Sequence, residues 1–339
     1  MARLTDRQDT HVLVLGGGPD AERPVSLKSS RAIAEALNAG NRCTAELETV
    51  DAPDAAELRD MVERTQPKVI FPVLHGRFGE GGPLQRAMDQ VGVPYVGAGV
   101  QASRLAIDKI ATKDMAQQLL QDPAFARAPI QVSVSRTVDP ADDAMPMEFP
   151  FVVKPTFEGS TIGLHVCKNE AQWNTALAEL RARSRPTMAE PFAAGDELTV
   201  GIVDRGHGLR AIPIIRIVPA GGLYDYDAKY VREDTRYEVG PQLGEGLTGV
   251  LARFTEALAK RIGIRHLARA DFVLDPNAEV ATFLEINTMP GFTSHSLFPM
   301  AARSIGLEMT ELCESLVEAA LRDAPRGIFG RPKAVAAAG

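Results

Sequence analysis

Residues 283–296 read FLEINTMPGFTSHS, an apolar run that ends in an acid, an amide and a Pro-Gly break. Side chains on a strand alternate between its two faces, so Glu285 and Asn287 are predicted to point the same way. A pair of oxygen donors at the end of a strand suits a hard cation such as Mg²⁺ or Mn²⁺. A solvated strand end followed by a turn explains the stretch equally well, so this segment leaves both interpretations open.

The segment just upstream strengthens the cation interpretation. ARADFVLD, residues 268–275, is predicted to pair with 281–287 as a hairpin, because Pro276-Asn277 is a turn signal. Asp271 would then lie across from Glu285 and Asn287 and supply a third oxygen donor. Arg269 shares that face, where a guanidinium could stabilise charge on a transferring phosphoryl or acyl group. A salt bridge from Arg269 to Glu285 is the simpler alternative.

A second motif, VVKPTFEGSTIG at 152–163, places a lysine at the end of an apolar strand. Lys154 is costly to bury there unless it has a partner. The glycines and hydroxyls that follow let backbone N–H groups approach phosphate oxygens. The segment lacks the Gly-Lys-Ser/Thr of a Walker A loop, and a flexible surface turn remains the alternative.

A third motif, GGGPDAERPVS at 16–26, follows the first predicted strand. It fits the dinucleotide fingerprint only weakly, because Pro19 interrupts the run into the helix. Glu22 lies at the strand-to-helix turn, where its carboxylate could hold a substrate ammonium. His75, in a glycine-rich loop after another strand, could face the same crevice, since open α/β sheets bind ligands at the carboxyl ends of strands.

Composition restricts the class of protein. The 339 residues are 45% hydrophobic and 24% charged, which is ordinary for a soluble globular protein. The net charge of −7 gives no reason to expect nucleic acid or acidic lipid as a partner. Cys43, Cys167 and Cys313 fit neither a disulfide framework nor a zinc site. With no signal peptide and no membrane-spanning run, we expect a cytoplasmic protein.

The order of strands and helices predicts an α/β protein with three domains. We expect a parallel α/β domain over 1–97, a smaller α+β domain over 98–190, a third α+β domain over 191–326 and a frayed tail over 327–339. Residues 93–99 are predicted to be a strand followed by a loop, and 103–122 one continuous helix capped by Ser103. The charged segment 223–246 has few aliphatic residues and is predicted to be a lid.

Taken in order, these motifs resemble the D-alanine–D-alanine ligase family of the ATP-grasp superfamily. The resemblance covers about residues 11–322 and rests on AERPVSL, LHGRFGEGGPLQ, VVKPTFEGSTIG, YDYDAKY, ARADFVLD and LEINTMPGFTSHS. It implies an ATP-grasp fold with the nucleotide between the central and C-terminal domains. It also implies ATP-dependent joining of two D-alanines through an acylphosphate for peptidoglycan precursors, with two Mg²⁺ or Mn²⁺ ions and a homodimeric enzyme.

The resemblance also implies roles for individual residues. Asp271, Glu285 and Asn287 would hold the metal ions. Residues spread over the last two domains would bind ATP, with the lysines at the phosphates and Glu190, Phe192 and Glu197 at the nucleoside: Lys109, Lys154, Glu158, Ser160, Thr161, Glu190, Phe192 and Glu197.

Other residues would act on the amino acids. Glu22 would take the first ammonium, and Arg269 with the Gly291 N–H would stabilise the tetrahedral oxyanion. Tyr230 would hydrogen-bond with Glu22 and Ser160, and in this family a lid tyrosine accompanies dipeptide synthesis. The remaining substrate contacts would come from Val25, His75, Lys229, Ser296 and Leu297.

Three positions depart from the family pattern: Pro191 replaces a lysine near adenine, Gly81 replaces an acid, and Met289 replaces a small residue. Alternative functions also remain. A Rossmann-type oxidoreductase would leave the metal triad and Lys154 without a role. An ATP-grasp module that binds nucleotide without catalysis, another amino-acid ligase and a D-alanine–D-lactate ligase are the other candidates.

Overall fold

The computed structural model describes residues 10–159, 163–183, 185–219 and 234–324. Three β-sheets organise this part of the chain. The first is a parallel three-stranded sheet of order β2-β1-β3, formed by β1 (Thr10–Gly17), β2 (Cys43–Val50) and β3 (Val69–Pro72). The predicted parallel α/β arrangement of the N-terminal region is therefore confirmed.

Helices cover both faces of this sheet. They are α1 (Arg23–Ala39), α2 (Ala55–Thr65), the short α3 (Gly76–Glu80) and α4 (Pro83–Val91). Alternation along β1 sends Val12 and Val14 into a core shared with α1, and Leu13 and Leu15 into a second core shared with α2 and α4. A strand that is buried on both faces has a continuous apolar sequence, and residues 12–15, VLVL, fit this pattern.

The strand predicted at the start of 93–99 is reduced to one bridge, and the loop predicted after it is present. This segment makes a single bridge to β3, between Ile70 and Tyr95. Pro94 has no N–H to continue a ladder, and Gly97 has a φ of +101°, so the chain leaves the sheet at once.

The continuous helix predicted over 103–122 is wrong, because the chain breaks at Asp108. The structure has α5 (Val100–Ile107) and α6 (Lys109–Leu119), with Ser103 buried inside α5. Asp108 is extended, and its carboxylate accepts hydrogen bonds from the N–H groups of Ile110 and Ala111 at 3.1 and 3.0 Å. This cap makes Lys109 the first residue of a new helix.

A four-stranded antiparallel sheet has the order β5-β8-β6-β7 and packs against α7 (Glu170–Arg183). Its strands are β5 (Arg136–Val138), β6 (Phe151–Pro155), β7 (His165–Cys167) and β8 (Thr187–Pro191). Phe151 and Val153 face the helix residues Trp173, Leu177 and Leu180 in one small core. Lys154 therefore lies on the opposite face of β6.

The third sheet has seven strands, most of them antiparallel. They are β4 (Ile130–Val132), β9 (Asp196–Asp204), β10 (Leu209–Ala211), β11 (Ile215–Val218), β12 (Arg236–Val239), β13 (Leu267–Asp275) and β14 (Val280–Asn287). The apolar segment 211–219 is divided between β10 and β11, since Pro213 cannot donate to a ladder.

Helix α8 (Leu247–Ile262) covers this sheet, and α5 and α6 share the same core. Residues 98–132 therefore pack with the seven-stranded sheet, although the sequence places them with 133–190. Helices α9 (Leu297–Arg303) and α10 (Met309–Arg322) complete the chain, and α10 returns to pack against β3 and α1. Among the described helices, none combines the length and apolarity required to cross a lipid bilayer.

Candidate active site

The hairpin β13–β14 builds the centre of the site. Its register pairs Asp271 with Glu285 and Arg269 with Asn287, so the predicted hairpin is confirmed. Glu285 and Asn287 are two residues apart on β14, and Asp271 lies directly across from the first of them. The three side chains are half-buried at the open end of the sheet.

Asp271 is held by three neighbours. Arg269 donates from Nε and Nη2 at 2.9 and 2.8 Å, and Thr199 donates its hydroxyl at 2.6 Å. Asn287 contributes a longer contact of 3.4 Å from its amide nitrogen. Thr199, on β9 opposite Asp271, was not singled out from the sequence, because its position depends on the pairing of a distant strand.

The donor set fits a hard divalent cation, since two carboxylates and a side-chain amide are the oxygen ligands that Mg²⁺ prefers. Lys109 reaches the same place from the start of α6. Its Nζ lies 3.3 Å from Glu285 Oε2 and donates to the Glu158 carbonyl oxygen at 2.6 Å. The arrangement therefore places a lysine at the start of a helix beside the acids of β13 and β14, as a site for a metal-bound polyphosphate requires.

A buried ion cluster lies next to this centre. Lys154 Nζ is 2.5 Å from Glu190 Oε1, and Lys113 Nζ is 2.8 Å from Glu190 Oε2. Lys154 thus has the partner that its buried strand position requires. Lys113 was missed in the sequence, although it follows Lys109 by four residues and so shares its helix face.

The titration of this cluster follows from its charges. Burial alone would raise the pKa of Glu190, but Lys154 and Lys113 outweigh it and lower the pKa to about 2. Burial lowers the pKa of Lys113, and the attraction of Glu190 only partly opposes it. Burial also lowers the pKa of Lys154, but the negative charges of Glu190 and Glu285 outweigh burial and raise the pKa above its usual value. The cluster therefore keeps Glu190 ionised.

Three other residues predicted to contact the nucleotide are described by the structure. Phe192 follows β8, is partly buried and donates its N–H to the Pro150 carbonyl at 3.1 Å. Glu197 lies on β9, paired in register with Val273. The carboxylate of Glu158 forms an ion pair with Arg185, while its carbonyl oxygen faces Lys109.

A single cleft joins the metal-type acids to the first loop of the chain. A Cβ added at Gly159 would lie 3.0 Å from Glu22 Oε2, which shows how closely the glycine loop approaches Glu22. The structure brings most residues predicted to contact the amino acids into this cleft: Glu22, Val25, His75, Arg269, Gly291, Ser296 and Leu297 line it together with Glu285 and Asn287.

Glu80 organises one wall of the cleft and was also missed in the sequence. Its carboxylate accepts the Met289 N–H at 3.1 Å and the Gly76 N–H at 3.3 Å, and lies 3.7 Å from His75 Nδ1. Burial alone would lower the pKa of His75, but Glu80 and Glu22 together raise it. Glu80 stands in a glycine-rich segment, and its role depends on the distant Met289 N–H, so the local pattern pointed to His75 and Gly81 instead.

The turn after Met289 forms an adjoining part of the cleft wall. Ser296 Oγ accepts the Thr293 N–H at 2.9 Å and begins α9. The Phe292 N–H donates to Ser29 Oγ of α1 at 3.0 Å, so this turn is tied to the N-terminal helix. A Cβ at Gly291 would approach Ser296 Oγ to 2.9 Å, which favours glycine there.

Four of the predicted residues cannot be placed. Ser160, Thr161, Lys229 and Tyr230 lie outside the described residues, as do residues 223–233 of the predicted lid.

Comparison with known proteins identifies the family. The family model described as D-ala D-ala ligase C-terminus matches residues 133–318. A D-alanine–D-alanine ligase of Syntrophotalea carbinolica is 38% identical over 314 residues, which is 92% of this chain and 97% of the relative.

Solved structures give the same answer for the fold. A D-alanine–D-alanine ligase from Bacillus anthracis superposes with a TM-score of 0.75 at 24% identity, over 92% of this chain and 98% of that one. The same enzyme complexed with ATP gives 0.72 at 22% identity, over the same shares. The chain therefore has the ATP-grasp fold and belongs to the D-alanine–D-alanine ligase family.

Proposed function

We propose that this enzyme joins two D-alanines to D-alanyl-D-alanine at the expense of ATP, a product used in peptidoglycan precursors. The observation that carries the proposal is the shared position of Glu285 and Asn287. Both belong to the oxygen-donor set beside Lys109, and both line the cleft that holds Glu22, Gly291 and Ser296. Residues suited to phosphoryl transfer thus border residues suited to an amino acid.

In the first step, a carboxylate oxygen of the first D-alanine attacks the γ-phosphorus of ATP, and ADP leaves. Glu22 holds the ammonium of that D-alanine, so the carboxylate is oriented toward the nucleotide. Lys109 and Lys154 offset the charge that moves between the phosphates. The product of this step is an acylphosphate, whose carbonyl carbon is open to attack.

In the second step, the amine of the second D-alanine attacks that carbonyl carbon. Negative charge moves to the carbonyl oxygen, where Arg269 and the Gly291 N–H can donate hydrogen bonds. Ser296 and Leu297 hold the carboxylate of this second substrate. The nitrogen gives up its extra proton, which the departing phosphate can accept, and the tetrahedral intermediate expels phosphate and leaves the peptide bond.

Asp271, Glu285 and Asn287 would hold two Mg²⁺ or Mn²⁺ ions, which neutralise phosphate charge when bound. The remaining ATP contacts are assigned by family membership. Glu190 and Glu197 take the adenine amino group and the ribose, with Phe192 against the base. Glu158 borders the loop that contains Ser160 and Thr161.

We also propose a cytoplasmic homodimer. The dimer rests on family membership, and light scattering of the purified protein tests it. The location is supported by Cys43, Cys167 and Cys313, which are all buried and unpaired, as in a reducing compartment.

The deciding experiment measures ADP release against a panel of D- and L-amino acids, with the products identified by mass. The proposal predicts ADP release with D-alanine alone and a product with the mass of the dipeptide. D-lactate is offered together with D-alanine to test the acceptor. A depsipeptide as the main product would make the enzyme a D-alanine–D-lactate ligase, and no ADP release with D-alanine would contradict the proposal.

A further inference from the structure

Lys113 is a buried lysine that the mechanism above leaves without a role. It is only 2% exposed and lies on α6, one turn after Lys109. Its Nζ is 2.8 Å from Glu190 Oε2 on β8, and it donates to the Phe283 carbonyl oxygen on β14 at 2.9 Å. One ammonium thus links the four-stranded sheet to the strand that carries Glu285 and Asn287.

The two oxygens of Glu190 are divided between two lysines. Lys154 takes Oε1, and Lys113 takes Oε2. Lys154 is the more exposed of the two, at 8%, whereas Lys113 has the Phe283 carbonyl as a second partner inside the protein. A nucleotide can therefore draw Lys154 away from Glu190 while Lys113 stays.

That difference matters because an unpaired buried carboxylate is costly. If Lys154 were the sole partner, turning toward phosphate would leave Glu190 buried without a cation. The contact would then compete with nucleotide binding. A second, fixed lysine removes the competition, because Glu190 keeps one ion pair throughout.

We propose that Lys113 is a positioning residue of the ATP site, which holds the Glu190 carboxylate in place and so frees Lys154 to contact the nucleotide. The inference rests on the proposed function, since it takes Glu190 and Lys154 as nucleotide contacts. Lys113 itself touches no substrate and acts through Glu190.

The first test compares Lys113→Met with Lys260→Met, the same substitution at an exposed position on α8. Titration calorimetry gives the dissociation constant of ADP with Mg²⁺, and steady-state assays give the KM for ATP and for D-alanine. Lys113→Met should weaken ADP about 10- to 100-fold, the loss expected for a charge-assisted contact, with the KM for D-alanine unchanged. Lys260→Met should match the wild type in the dissociation constant of ADP and in both KM values.

Base selectivity gives a readout that a merely structural role would not move. Glu190 is assigned to the adenine amino group, which inosine diphosphate lacks. Lys113→Met should therefore lose much of the preference for ADP over inosine diphosphate. An unchanged preference would overturn the inference.

A double-mutant cycle tests whether Lys113 acts through Glu190. In a Glu190→Gln background, adding Lys113→Met should cost no further ADP affinity, because the group it positions is already gone. Independent, additive losses would overturn the inference. Thermal melting without ligand identifies variants that fail to fold.

Lys113→Gln supports the same tests if Lys113→Met does not fold, since it keeps a donor for the Phe283 carbonyl. Wild-type affinity for ADP in this variant would overturn the inference as well. The proposed function fails separately: it is contradicted if the wild type itself binds no ADP. If the wild type binds ADP and the Lys113 variants bind it with the same affinity, only the role of Lys113 is contradicted.

Discussion

Asp271 accepts hydrogen bonds from Arg269, Thr199 and Asn287, while Glu285 faces Lys109 at 3.3 Å. Each acid at this end of the sheet thus has a cationic neighbour, so the charges are balanced before any ligand binds. A bound metal would add to this balance at the same oxygens. Residues in such a place are expected to matter more for turnover than for folding.

The first prediction concerns Glu285→Gln and Asn287→Ala. Both should lower kcat by about 10²–10³-fold, because each removes a ligand from the charge-stabilising site. Melting temperatures should stay close to that of the wild type, since both side chains are half-buried at a strand end. Asn277→Ala, in the exposed turn of the same hairpin, is the matched control and should retain full activity. Near wild-type turnover of both variants at saturating Mg²⁺ would rule out the metal assignment.

Among single residues, those whose positions follow from the alternation of side chains along a strand could be predicted from the sequence. Two-residue spacing placed Glu285 and Asn287 on one face, and the turn at Pro276 placed Asp271 opposite them. Lys113 and Glu80 were missed for a physical reason. Their partners, Glu190 and the Met289 N–H, lie 77 and 209 residues away in the chain, and no local pattern encodes such contacts.

Among the elements, the junction between α5 and α6 has the clearest link to the site. The Asp108 carboxylate caps α6 and thereby fixes Lys109 at its first position. The apolar pattern runs through this junction without a gap, so periodicity alone predicts one helix. The Asp108 carboxylate decides otherwise, because it binds the N–H groups of the next turn and so begins a new helix.

The second prediction concerns this cap. Asp108→Ala should lower the free energy of unfolding by about 1 kcal/mol, the usual value of an N-cap. It should also lower turnover, because Lys109 loses its fixed position. Urea titration and a steady-state assay measure the two effects.

Asp54→Ala is the matched control for the cap. Asp54 caps α2 with bonds of 2.8 and 2.9 Å to the N–H groups of Ala56 and Glu57, away from the cleft. It should cost similar stability without changing turnover. Equal activity of the two variants would show that the α6 cap does not position Lys109.

The whole molecule is tied together by contacts that no single element contains. His266, before β13, accepts the Gly97 N–H at Nδ1 (2.9 Å) and faces Asp323, after α10, from Nε2 at 3.1 Å. The His266 ring is buried, and the backbone at His266 is left-handed, with a φ of +66°. Predicting such a junction requires the tertiary arrangement, because no local pattern encodes it. The parallel N-terminal sheet and the β13–β14 hairpin, by contrast, could be predicted because their patterns are local.

The third prediction is a pH dependence. Burial, with Arg265 second, lowers the pKa of His266 from 6.5 to about 4. Between those values the unfolded chain binds more protons than the native protein, so the free energy of unfolding should fall as the pH drops from 6.5 toward 4. His266→Asn, which tolerates the left-handed backbone, should flatten that slope.

Urea titrations across this pH range measure the slope. His207→Asn, at an exposed position, is the control and should leave it unchanged. A His266→Asn slope equal to that of the wild type would mean that His266 is not held neutral in the native protein.

The central claim is that ATP activates a D-alanine carboxylate as an acylphosphate, and one measurement tests it most directly. The enzyme is given D-alanine labelled with ¹⁸O in its carboxylate, and the released phosphate is analysed by mass. The proposed mechanism predicts that one labelled oxygen enters phosphate for each dipeptide formed, because the bond between carbon and that oxygen breaks when the amine displaces phosphate. Dipeptide formed together with unlabelled phosphate would contradict the mechanism.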